Sequence, residues 1–170
     1  MFLNLFKLKY LAISVLAFTM FSCEESETAP GNAQNPPVYQ KSDLEKLRWI
    51  EGNWKTDVSG PGYYQSIHFP SDSILEVVSY QFDGKDTSNT TISTLYWKNN
   101  HFYMGPNGEW VAVHLNKNSI QLDPIRAGWH TIHWSYDKEK NEWTAVQKKP
   151  DFIRTIKMKK QAALEEMLKK

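Results

Sequence analysis

From residue 54 to residue 159 the chain is cut into short runs rich in aromatic and β-branched residues, and turn signals end each run within about ten residues. The runs are WKTDV, YYQSIHF, SILEVVSYQF, TISTLYW, HFYMG, EWVAVHL, SIQLD, WHTIHWSY, EWTAVQ and DFIRTIKMK. Between them stand Gly60-Pro61-Gly62, Pro70-Ser71-Asp72, Asp83-Gly84, Asn99-Asn100, Pro106-Asn107-Gly108 and Asn116-Lys117-Asn118, each with a residue that tolerates positive φ or fixes it. The pattern predicts strands joined by tight turns, so sequence neighbours pair antiparallel. So many strands in one small domain must close or double over to hide their edges. The expected architecture is all-β: an up-and-down barrel of about eight to ten strands or, failing that, a sandwich.

The ends of the chain read differently. Lys7 and Lys9 precede the apolar run Leu11 to Phe18, too short to span a bilayer as a helix, and residues 1–22 are expected to be a secretory leader. Ser22 stands directly before Cys23, the single cysteine, which has no partner for an internal disulfide. FTMFSC resembles a lipobox, although Met20 and Phe21 depart from the usual residues there. That resemblance implies lipidation of Cys23 and attachment to a membrane, with the periplasmic and cell-surface sides of an outer membrane both open. Residues 23–41, rich in Glu, Pro, Asn and Gly, lack the apolar surface to offset ordering and are expected to be a flexible tether. At the other end KKQAALEEMLKK sets Ala163, Leu164, Met167 and Leu168 on one stripe, so residues 161–170 are expected to form a short amphipathic helix.

Losing a leader that holds two lysines and no acid leaves 18 of the 20 basic residues against all 19 acidic ones. That balance argues against a general nucleic-acid binder, whose affinity rests on neutralising many phosphates. No G-x-x-x-x-G-K-[ST], H-E-x-x-H or C-x-x-C occurs, so no cofactor is expected. His130 and His133, three apart on an expected strand, point to opposite faces and cannot share a metal, while His68, His101 and His114 fall one to a strand. No metal site is expected, and no nucleophile or acid–base pair marks an enzyme.

SDLEKLRWIEGNW sharpens the architecture. Ser42 or Asp43 can cap a helix whose Leu44, Leu47 and Ile50 fall at i, i+3 and i+6, and Gly52-Asn53-Trp54 then enters the first strand. The segment resembles the opening of lipocalins and their calycin relatives. That likeness implies that residues 42–160 form one barrel, that Trp54 packs over its closed end, and that an arginine of the last strand, Arg154, lies across the indole. Strand parity agrees that Phe152, Arg154, Ile156 and Met158 share a face.

Parity also places Trp54, Thr56 and Val58, then Tyr63, Gln65, Ile67 and Phe69, then His130, Ile132, Trp134 and Tyr136 toward the interior. The expected ligand contacts are Gln65, Tyr103, His130 and Trp134, aromatic surface with a few polar handles for a small apolar or amphipathic molecule. A filled barrel is the other expectation, with an exposed face such as Trp110 and His114 engaging a protein or glycan at the cell envelope.

Overall fold

A computed structural model describes residues 31–56, 62–83 and 85–161. The expected leader, Cys23, Val58 and nearly all of the expected C-terminal helix lie outside the described residues. Ten strands form one closed antiparallel barrel: β1 (Gly52–Thr56), β2 (Gly62–Ser71), β3 (Ile74–Phe82), β4 (Thr87–Lys98), β5 (His101–Met104), β6 (Trp110–Leu115), β7 (Ser119–Pro124), β8 (Thr131–Asp137), β9 (Glu142–Lys149) and β10 (Phe152–Lys160). Each pairs with its sequence neighbours, and β10 closes on β1. This up-and-down barrel is compatible with a calycin-like fold.

Turn chemistry sets the register. Asn99 and Asn100 both have positive φ, and they form a two-residue connection between the paired Lys98 and His101. That is the turn whose twist suits an antiparallel pair.

Before β1 the helix is a 3-10 helix over Lys41–Ile50 rather than an α-helix. The three-residue spacing of Leu44, Leu47 and Ile50 matches its three residues per turn, and all three are buried. The same period aligns Lys46 with Asp43, and Arg48 with Glu45 and Glu51, as ion pairs on the opposite side. Asp43 does not itself begin the helix. Its carboxylate accepts the Gln40 N–H at 2.8 Å from inside the first turn, and the hydrogen bond from Lys46 holds its pKa below the usual carboxylate range.

This helix plugs one end of the barrel. Beneath it Trp54, Ile67, Leu75, Leu95, Phe102, Ile120, Leu122 and Met158 pack with almost no exposure. Trp54 is fully buried, donates its Nε1–H to Ile50 O at 2.7 Å and meets Trp143 edge-on at 6.3 Å. The cation on its ring is not Arg154. Lys160 pairs directly with Trp54 across β10 and β1, and its Nζ stands 5.4 Å from the indole centroid. Arg154 lies on the same face, but six residues along an extended strand is about 20 Å. Arg154 shares the face, and the register sets Lys160 rather than Arg154 beside Trp54. Gly52 completes the arrangement: its φ of +122° excludes most side chains, and a Cβ there would sit 3.0 Å from Lys160 Cε.

Candidate functional site

The packed floor fills only the half of the barrel nearest the helix. Toward the opposite, open end lies a cavity of about 320 Å³. One wall comes from β2, β3 and β4 and is polar: Tyr63, Gln65, Ser79, Thr91 and Ser93. The facing wall, from β8, β9 and β10, is mostly apolar, with Ile132, Trp134, Trp143 and Ile156. Gln147 and Arg154 stand at its outer edge, paired across β9 and β10 close to the hairpin turn. Sequence alternation explains both walls, because small polar residues occupy the inward positions of β3 and β4 where β8 and β9 carry tryptophan.

Two residues of the lining each carry a buried polar atom with no partner among the described residues, Gln65 Oε1 and Trp143 Nε1, and both atoms are covered by protein rather than open to the cavity. Gln65 Nε2 donates to Ser79 Oγ at 3.0 Å and to Tyr63 Oη at 3.3 Å, which leaves the carbonyl oxygen unmatched. Turning the amide over would let those hydroxyls donate to oxygen and orphan the NH2 instead. Either way one polar end of Gln65 is unmet, and a buried unmatched group costs about 1 to 3 kcal/mol. Arg154 is exposed at the rim, and among the described residues no carboxylate comes within ion-pair distance of it.

Of the four expected ligand contacts, Gln65 and Trp134 meet in this cavity. Tyr103 does not. Its neighbours Phe102 and Met104 turn inward, so it faces out, with its ring 6.0 Å from Tyr96. His130 also falls outside the lining. β8 starts at Thr131, so strand parity does not reach His130, whose ring packs at 5.4 Å on Trp110 while its carbonyl accepts the Trp110 indole N–H at 2.8 Å. Burial and then the nearby Lys149 hold its imidazole below the usual pKa. Trp110 and His114 do not form one face. Trp110 packs with Trp129 and His130 at the open end, whereas His114, beyond a bulge in β6, bonds Asn116.

Sequence reasoning overlooked Ser79, Trp143 and Gln147. Period-two alternation through the cross-strand partners of Gln65 and Trp134 would have found them. A larger concavity of about 580 Å³ opens on the outer wall over β7, β8 and β9, lined by Gln121, Thr131, His133, Val146 and Lys148. It holds no unmatched buried polar group. Among the described residues no three His, Cys, Asp or Glu side chains converge as metal ligands, and no helix is long and apolar enough to cross a membrane. Compared with models of known protein families, with curated proteins and with solved structures, the chain matches none.

Proposed function

We propose that the barrel binds a small amphipathic anion in its half-open lumen, in a protein tethered to a membrane through lipid on Cys23. The observation that carries the binding reading is a cavity of ligand size in which a polar wall, Gln65, Ser79 and Thr91, faces an apolar one, Ile132, Trp134 and Ile156, with Arg154 at the rim. At the ~30 Å³ that a water takes in the liquid, the volume suits on the order of ten non-hydrogen atoms. That is too small for haem or a long acyl chain. An apolar body would lie against Ile132, Trp134 and Ile156, with a carboxylate reaching the unpaired Arg154 and a further polar group meeting Gln65.

Titration with decanoate, followed by indole fluorescence, tests the reading because Trp134 and Trp143 line the cavity. Saturable quenching is expected. Ala145→Leu, which fills the lumen, should abolish it, and Arg154→Met should weaken binding about two- to fivefold, the scale of an exposed charge pair. Gln65→Leu separates recognition from folding: the empty protein should change in stability by less than about 1 kcal/mol while ligands carrying a second polar group lose affinity. A flat titration with decanoate and with small aromatic acids would turn the reading toward a protein-interaction module.

The tether rests on the position of Cys23 behind an apolar leader. Metabolic labelling with palmitate tests it: label is expected on the wild-type chain and not on Cys23→Ala, and label that persists in the variant would refute lipidation at that residue.

A further inference from the structure

Both ends of the barrel carry cations without ion pairs, and at the open end these stand beside large exposed apolar side chains. Around the closed end Lys41, Lys46, Arg48 and Lys140 pair with Asp72, Asp43, Glu45 and Asp137, while Lys98, Lys117 and Lys138 on its turns form no ion pair among the described residues. At the open end Arg126, Lys148, Lys149 and Arg154 have no carboxylate within ion-pair distance among the described residues. Asp151 is the one acidic side chain on the β7–β8 and β9–β10 connections that bear or flank these cations. Glu109, on the neighbouring connection, keeps its carboxylate charged: burial raises its pKa, but hydrogen bonds from its own backbone and from Asn107, and then the field of Arg126, lower it further.

Large apolar side chains are exposed in the same place. Of the six such residues among those described, four lie on or directly beside these two connections: Ile125 and Trp129 before β8, and Phe152 and Ile153, the first residues of β10. Ile153 is 66% exposed and Trp129 43%. The two loops are neighbours, since Lys148 pairs with Thr131 on one side and with Ile153 on the other.

We propose that this end of the barrel docks on an anionic lipid bilayer, with Trp129, Phe152 and Ile153 entering the interface and Arg126, Lys148 and Lys149 lying against the headgroups. Indoles favour the headgroup level, and each basic residue near an anionic surface contributes about 1 kcal/mol of attraction. Charge complementarity selects the occupant: an apolar tip without unpaired cations would suit a protein groove as well, whereas unpaired cations around apolar tips suit a surface of phosphates over acyl chains. The mouth of the lumen then faces the membrane from which an amphipathic ligand would enter.

The test uses the full chain carrying Cys23→Ser, which removes any acyl anchor, with an environment-sensitive fluorophore on Ile153→Cys. A second label on Lys138→Cys reports the closed end. With vesicles of phosphatidylcholine and phosphatidylglycerol at 3:1, a blue shift is expected at position 153 and none at 138. The shift should vanish on pure phosphatidylcholine and at high salt. Arg126→Glu, Lys148→Glu and Lys149→Glu together should lower partitioning at least about tenfold. A shift at both labels would mean association through another part of the chain, and no shift, or one insensitive to salt and headgroup, would equally overturn the proposal. So would a shift at 153 produced only by a soluble protein. Filling the lumen with Ala145→Leu should leave the shift intact, so failure here is distinct from failure of ligand binding.

Discussion

Trp54 shows what a single residue holds together. It touches the plugging helix through Ile50, the β9 floor through Trp143 and the last strand through Lys160. Trp54→Ala should therefore cost about 3 to 5 kcal/mol in urea unfolding. Lys160→Met should cost about 0.5 to 1 kcal/mol, the worth of an exposed cation on an aromatic ring, and Arg154→Met close to nothing. Equal losses from the two Met variants would contradict the register. The alternation of apolar and polar residues identifies the face that Arg154 shares with Lys160. Alternation is blind to position along a strand, and position is what places Lys160 on the indole. His133 makes a second test at this scale, because burial, and then the neighbouring His114, hold its imidazole below the usual pKa. An imidazole with its folded pKa below the unfolded value of about 6.5 contributes stability above that value and loses it as pH falls through the folded one. The melting midpoint should fall on acidification from pH 7.5 toward 5, and His133→Gln should flatten that fall.

Among the elements, every strand stood out in the sequence because each run of aromatic and β-branched residues ends at a turn with its own backbone chemistry, as at Asn99-Asn100. His130 and Tyr103 fall outside the lining for two different reasons. His130 precedes β8, next to the turn that holds Gly128 at positive φ, so the alternation of β8 does not extend to it. Tyr103 offers a hydroxyl, but Phe102 and Met104 take the interior face of β5 and leave it outside. The helix before β1 was visible in its i, i+3, i+6 stripe, and that stripe is the period of the narrower helix that formed. A ten-residue 3-10 helix is long for its kind and makes poorer hydrogen bonds, so it depends on burial of Leu44, Leu47 and Ile50 rather than on itself. Leu47→Ala should cost about 2 to 5 kcal/mol by thermal or urea unfolding. Exchange of the helix amides should rise more than that of the β3 and β4 amides, since the strands keep their own ladder.

At the scale of the whole molecule the sequence left two outcomes open, a filled barrel and an open one, and the barrel is half of each. Trp54, Phe102 and Met158 fill the part under the helix, and the small inward residues Ser79, Thr91, Ser93 and Ala145 leave the cavity above it. Total volume is not legible from period-two patterning, because it depends on which large residues face which small ones across ten strands. A floor at mid-depth has a measurable consequence for a homologous series of ligands. Each added methylene buried in the lumen contributes about 0.8 kcal/mol, roughly fourfold in affinity. From hexanoate upward, affinity measured calorimetrically should climb at that slope only until the ligand reaches the size the cavity admits, on the order of ten non-hydrogen atoms. Longer carboxylates must then leave methylenes in the mouth, and the slope should break near decanoate. An affinity that keeps rising through hexadecanoate would require the Trp54 and Phe102 floor to open, which the packing of fully buried side chains opposes. Leu47→Ala, by loosening that floor, should move the break toward longer chains, tying the plug at one end of the barrel to the length of molecule accepted at the other.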